Sequence, residues 1–354
     1  MSRLSRKSAK VELLNVACYV GVDVHKSSYY VSILSEDGLH QEFSTPAEPA
    51  SFLTSLQSRG LTVLGLAYES GPTGYELAWA CQSAGIPLTV AAPSKIPRPI
   101  SAGGKTDRLD AIKLAEYLSR GMLKSVTVPT REEHALRELE RRRQQLVYGR
   151  TKLKQQFKSF LLKNSIPNNL RSWSNAEIEA LKAMQIGDVF LQATLESYLC
   201  QLEFLDSQLA VLRKCLMSEM IRMGKGELIR HLQTIPGVGT TVSHTFVAEI
   251  FRPERFERAE EICAYVGLAP IISQSGQSNG VAYTRKVGQV YLKSILVEAA
   301  WVAIRRDEYF RRVYNRLVNR HNITQKAIVA VARKLLTVMW RVAVENRPYR
   351  SLSI

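Results

Sequence analysis

A chain of 354 residues, 45% of them hydrophobic, is long enough for two or three domains with a sizeable core. It has no run of the roughly 18 consecutive apolar residues a membrane span requires, and MSRLSRKSAKVELLNVA lacks the apolar core and cleavage site of a secretory signal, so a cytoplasmic protein with no membrane partner is expected. Lys and Arg exceed Asp and Glu by 48 to 32, and the five cysteines are odd in number and widely spaced. That pattern excludes a disulfide framework or zinc ribbon and leaves Cys18, Cys81, Cys200, Cys215 and Cys263 as packing residues.

The first 120 residues alternate strand and helix signals. Strands are predicted at Ala17–Val24, Tyr29–Leu34, Gln41–Ser44, Leu61–Tyr68 and Pro87–Ala92, and helices at Pro49–Ser58, Gly74–Ala84 and Asp107–Ser119. Two hairpin-linked strands followed by β-α-β-α describe a mixed sheet flanked by helices, an α/β domain. The first strand carries an anomaly: in YVGVDVHK a carboxylate, Asp23, sits in a run that otherwise reads as buried. Glu69 occupies the same kind of position at the end of LTVLGLAYES, before Gly71-Pro72. KTDRLDA then opens a helix with Asp107 and Asp110 three apart, on one face, and sets Lys105 and Arg108 beside them as nucleic-acid contacts. Asp107 also suits an N-terminal cap, and His25 a cap for the turn after the first strand, with a metal or phosphate contact as its alternatives.

From Arg131 the pattern becomes long helices. Leu136, Leu139, Arg143, Leu146, Arg150, Leu153, Phe157 and Phe160 form one heptad seam, and Leu195, Tyr198, Leu202, Leu205, Leu209, Leu212 and Leu216 a second. Joined near Ser165 to Ser174, they predict an antiparallel coiled-coil arm for dimerisation over residues 131–222. The two seam arginines either set register or show that face to nucleic acid.

The remainder, 223–354, holds IPGVGTTVSHTFVAEI (Ile235 to Ile250), where a proline and tandem glycines precede a helix. Helix-hairpin-helix elements present backbone N–H groups to phosphate in this way, which makes Gly237 and Gly239 candidate contacts. A loop, ISQSGQSNG, follows, and then a helical, basic C-terminus. The charge surplus is one-sided. Residues 1–100 are balanced at eight of each sign, whereas 281–354 hold fifteen basic and four acidic side chains, interleaved with Tyr and Trp. Such a surface suits a polyanion, so nucleic acid is the expected partner, with Arg285 and Lys286 among its contacts.

Four carboxylates at two strand ends and one helix face repel one another unless a cation neutralises them. Oxygen donors of this kind suit Mg²⁺ or Mn²⁺, and a pair of such ions steadies both the attacking and the leaving oxygen of a phosphoryl transfer.

GVDVHK, YES-G-TG, KTD-x-x-DA, the heptad insert, IPGVG and AYVGLAP…QSG…VEAAW occur in the order seen in transposases of the insertion-sequence 110/1111 family, which the chain resembles over almost its whole length. The resemblance implies a ribonuclease H-like, RuvC-like N-terminal domain over 1–130 and a DEDD set on Asp23, Glu69, Asp107 and Asp110, while the basic extension over 1–16 departs from the family's usual pattern. It further implies a mainly α C-terminal transposase domain over 223–354 with a nucleophilic serine after GLAP, which falls on Ser275. Family members are recombinases guided by a structured bridge RNA. They act on donor and target DNA as homodimers or homotetramers with composite active sites, here in a bacterial cytoplasm and on the nucleoid when active.

ISQSGQSNG contains no His, Asp or Glu, so activation of Ser275 is expected from the metal site or from Arg285 and Lys286. A metal-dependent Holliday-junction nuclease using water needs the same carboxylates and leaves Ser275 idle. A sugar-kinase or actin-like ATPase needs glycine and threonine after its first aspartate, where this chain reads Val24-His25-Lys26-Ser27. A non-enzymatic nucleic-acid scaffold accounts for the basic tail and not for the carboxylates.

Overall fold

A computed structural model describes residues 16–38, 40–97, 106–273, 281–284 and 288–351. They form two compact units, Met1–Thr130 and Arg131–Ile354.

The first unit contains β1 (Ala17–Val24), β2 (Ser28–Ser35), β3 (His40–Pro46), α1 (Pro49–Gln57), β4 (Thr62–Glu69), α2 (Glu76–Ser83), β5 (Leu88–Ala91) and α3 (Asp107–Ser119). The sheet order is β3-β2-β1-β4-β5, with β3, β2 and β1 antiparallel and β4 and β5 parallel to β1. Period-two alternation divides β1 between two layers. Cys18, Val20 and Val22 bury into a core with Phe52 and Leu56 of α1 and Leu77 and Cys81 of α2, while Gly21 on the opposite face meets Ala111 and Ala115 of α3. A mixed sheet covered on both faces agrees with the α/β expectation and with a ribonuclease H-like domain. Strand and helix limits match those read from the sequence to within about two residues. The cap of α3 differs: Thr106 Oγ1 accepts the Leu109 N–H, and Asp107 is the first helical residue.

The second unit begins with α4 (Arg131–Lys163), α5 (Asn175–Lys182) and α6 (Val189–Arg222). Helices α4 and α6 run antiparallel, joined by Glu132–Arg222 (3.2 Å) at one end, Arg150–Asp206 (2.6 Å) midway, and Phe157 stacked on Tyr198 at the other (4.9 Å between ring centres). Leu146, Leu153, Leu195, Leu202 and Leu209 of the two seams are buried. The short α5 was not expected. A capping box starts it, with Ser174 Oγ accepting from the Glu177 N–H and the Glu177 carboxylate accepting from the Ser174 N–H.

The rest is α7 (Gly226–Gln233), α8 (Thr240–Ile250), α9 (Ala259–Val266), β6 (Pro270–Ser273), β7 (Val281–Thr284), α10 (Val290–Arg306), α11 (Glu308–His321) and α12 (Thr324–Glu345). Two corrections follow. Ile272 and Ser273, expected in a loop, are on a strand of the antiparallel β6–β7 pair. The first half of α4 packs into the C-terminal core as well as against α6. Buried Glu140 accepts from Arg143 Nε (2.8 Å) and Nη2 (2.6 Å) and from Thr245 Oγ1 of α8 (2.6 Å), and Glu249 of α8 accepts from Arg141 (2.9 Å). Arg143 therefore occupies its seam position as half of a buried ion pair, because a guanidinium leaves water only when its charge is matched. Arg150 is likewise tied to Asp206.

Two of the expected packing cysteines, Cys200 and Cys215, are exposed on α6, whereas Cys18, Cys81 and Cys263 are buried. The outer face of a long helix is solvated even where the sequence around it is apolar.

Candidate active site

Three elements converge on one end of the first unit's sheet. Asp23 is the penultimate residue of β1, His25 follows it in the turn to β2, and Asp107 starts α3. His25 Nε2 lies 3.0 Å from Asp23 Oδ2 and 3.2 Å from Asp107 Oδ1. One donor atom from each of these residues falls within 4.8 Å of the others. The approach depends on Gly21, two residues before Asp23 and on its face of the strand. A Cβ there would stand 2.0 Å from the Ala111 carbonyl oxygen and 2.6 Å from the Ala115 nitrogen. Only a glycine lets the α3 backbone lie this close to β1, and that closeness carries Asp107 and Asp110 to Asp23.

The electrostatics fit a cation site. Burial raises the Asp23 carboxyl above its ordinary value. The charges of Asp107 and Asp110 push it in the same direction, and His25 opposes them. Asp23, Asp107 and burial's smaller opposing effect leave the His25 imidazole above its usual value, with Asp23 the largest cause. Two carboxylates meet an imidazole at one point, with a third carboxylate charge close by, and the carboxylate oxygens are donors of the kind that Mg²⁺ or Mn²⁺ takes.

Asp110 lies one turn along α3, with Lys113 Nζ 3.8 Å from its carboxylate. Val22 pairs with Tyr68, so Asp23 and Glu69 end neighbouring parallel strands and point to the same face. The Glu69 carboxylate stands outside the Asp23–His25–Asp107 cluster. Arg108, expected on nucleic acid, is paired with Glu42 of β3 at 2.8 Å, and Tyr30 Oη donates to the same carboxylate at 2.6 Å. Lys105, Ser275, Arg285 and Lys286 lie outside the described residues.

Gly237 and Gly239 sit in the turn between α7 and α8. Gly237 has φ +90°, and a Cβ there would fall 2.4 Å from the Ala299 carbonyl oxygen of α10, so this glycine serves close packing. Gly239 precedes α8 as its N-cap, with no side chain to bond the first N–H groups.

Sequence reasoning missed Gly21 and gave His25 first to a turn cap, with a metal or phosphate contact as alternatives. His25 bridges two of the expected carboxylates, and its signal was its position two residues after Asp23. Gly21 had a signal in being a glycine inside a strand, which marks close backbone approach.

The chain was compared with known families and proteins. Residues 20–166 match a transposase family of the IS110 DEDD type, and residues 229–315 match the transposase IS116/IS110/IS902 family. A putative transposase, y4qE, of Sinorhizobium fredii is 27% identical over 93% of this chain and 89% of its own length. The transposase for insertion sequence element IS1328 of Yersinia enterocolitica is 25% identical over 92% of this chain and 97% of its own. A pilin gene-inverting protein of Moraxella bovis is 28% identical over 69% of this chain and 68% of its own. With both family matches in chain order, and the acidic cluster inside the first of them, the chain belongs to the IS110-family transposases, enzymes that cleave and rejoin DNA.

Proposed function

We propose that this transposase cuts DNA at a divalent-metal site held by Asp23, Glu69, Asp107 and Asp110 and retains the cut end as a phosphoserine on Ser275. The observation that carries the reading is the approach of Asp107 to Asp23 through His25. A bound Mg²⁺ or Mn²⁺ supplies charge neutralisation at the scissile phosphate. The carboxylates hold that charge in place, and Asp23, the more buried of the cluster, fixes it to the rigid sheet. Ser275 Oγ attacks phosphorus, its proton passes to the departing strand's oxygen, and one phosphodiester is exchanged for another. Bond energy is thus kept, and rejoining needs no ATP. A relative named for gene inversion, which requires strands to be rejoined, is in keeping with this balance.

Guidance by a bridge RNA, with donor and target DNA as substrates, follows from the family resemblance and is supported by the basic surplus of the C-terminal region. The turn at Gly237 and Gly239 acts as a helix-hairpin-helix phosphate contact beside it. Self-association is assigned to α6. Phe190, Phe204 and Val211, all exposed, lie at seven- or fourteen-residue spacing on one face of the helix, a coiled-coil stripe for a second copy.

The test is a denaturation-resistant protein–DNA adduct. Wild type forms it, and Ser275→Ala loses it together with recombination while still binding DNA. Cleavage that persists in Ser275→Ala and is lost in Asp107→Asn would make water the nucleophile and the protein a junction-type nuclease. An adduct lost in Ser273→Ala instead would move the nucleophile by two positions.

A further inference from the structure

Residues 141–163 of α4 contain eight basic side chains and no acidic one. Neither the carboxylate site nor the C-terminal core uses most of them. Arg143 is consumed by Glu140 and Arg141 by Glu249. Arg150, Lys154 and Lys158 step by four, about 6 Å per step along the axis, and so form one stripe. With Thr151, Gln155 and Trp173 they line an open recess of about 320 Å³.

The recess is built on a fixed loop. Trp173 has φ +61°, a left-handed conformation that a bulky side chain adopts only when its surroundings enforce it. Glu177 enforces it by accepting the backbone N–H groups of Arg171 (2.9 Å), Ser172 (3.2 Å) and Ser174 (2.9 Å). The indole so held packs against Phe157 and lies under Lys154 Nζ at 5.0 Å and Lys158 Nζ at 5.9 Å. A ring face at this range attracts an ammonium and limits where it wanders. Arg150 is held from the other side by Asp206. Neither Lys154 nor Lys158 is paired with a carboxylate among the described residues. Burial, then the like charge of Arg150, holds the Lys154 ammonium below its ordinary value, with Lys158 adding to the effect and Asp206 opposing it. Cations gathered against their own repulsion are arranged for an anion.

We infer that the Arg150–Lys154–Lys158 stripe, with Trp173 fixing its two lysines, is a docking surface for the phosphate backbone of a DNA duplex. DNA is the polyanion on which the family acts, and spaced cations on an exposed helix complement a regular row of phosphates. The inference goes beyond the catalytic reading and depends on neither Ser275 nor a metal ion.

The experiment measures binding of the full chain to a mixed-sequence DNA duplex across a salt series. Lys154→Gln/Lys158→Gln is compared with Lys152→Gln/Lys163→Gln, which removes the same charge from the same helix outside the recess. Each phosphate contact contributes a slope of about −0.9 in log K against log salt. The stripe variant should therefore flatten the slope by about 2 and weaken binding about tenfold or more near physiological salt. The control pair should change the slope far less, and both should melt with wild type. Equal losses in the two pairs would reduce the effect to net charge and overturn the site, as would an unchanged slope in the stripe variant. A loss confined to binding of an RNA hairpin, with duplex binding intact, would also overturn the assignment. Wild type failing to bind the duplex at all would count against DNA docking and the catalytic reading together. Binding by wild type with no response in the variant counts against the docking surface alone.

Discussion

Gly21 and the Ala111 carbonyl bring strand and helix into direct backbone contact in the first unit: a Cβ on Gly21 would lie 2.0 Å from that oxygen. Because the obstacle is backbone, no rotamer change relieves it. Gly21→Ala should push α3 off the sheet, cost about 1–3 kcal/mol as overpacking does, and separate Asp107 from Asp23. The expected result is a lower melting temperature together with a loss of cleavage larger than that of Gly65→Ala. At Gly65 the nearest atom is the Leu118 side chain at 3.2 Å, which can give way. Full activity in Gly21→Ala would show that the approach of α3 to β1 does not set the site.

Removing either carboxylate of the cluster should separate catalysis from binding. Asp23→Asn and Asp107→Asn should abolish strand cleavage in Mg²⁺ while leaving DNA affinity near that of wild type, since neither removes a basic contact. Glu69→Gln should do the same if its strand end joins the site when an ion is bound. Divalent ions should also raise the melting temperature, by an amount equivalent to about 2.7 kcal/mol at a hundred times the dissociation constant. Asp107→Asn should lose that increment, and a rise that survived the substitution would place the ion elsewhere.

Glu140 should be among the most costly polar residues to remove. It is buried and accepts from Arg143 and Thr245, so Glu140→Ala leaves a buried guanidinium uncompensated, at about 3–5 kcal/mol. The double variant Glu140→Leu/Arg143→Met removes both charges and should recover much of the loss in chemical denaturation. If the single and double variants proved equally unstable, the pairing would not be what stabilises the α4–α8 contact.

Thiol reactivity should divide the cysteines. Burial pushes the Cys18 thiol up to about 11 and that of Cys81 up to about 12, so at pH 8 only about one Cys18 in a thousand is the reactive thiolate. A maleimide or disulfide reagent should modify Cys200 and Cys215 in the native protein and reach Cys18, Cys81 and Cys263 only after unfolding. Slower labelling of Cys200 as protein concentration rises would locate self-association on α6. Labelling independent of concentration would argue against that interface.

The sequence by itself determined the local structure and the residue chemistry. Alternation placed five strands, heptad spacing placed α4 and α6, and carboxylates at strand ends and a helix start, Asp23 and Asp107 among them, stood out as candidates, because these signals reside in short stretches of chain. The family's motifs were legible for the same reason. Tertiary structure alone decided which of those groups meet. His25 joins Asp23 to Asp107 because a strand, its following turn and a helix 82 residues later along the chain share one sheet end, a coincidence no local pattern encodes. Gly21 acquired its role only when the Ala111 backbone came to lie against it. The arginines of the first seam looked alike in sequence, but Arg143 became half of a buried pair with Glu140 while Arg150 pairs with Asp206 at a half-exposed position beside Lys154 and Lys158, because the packing around each decides whether its ion pair is sealed from water or left at the surface.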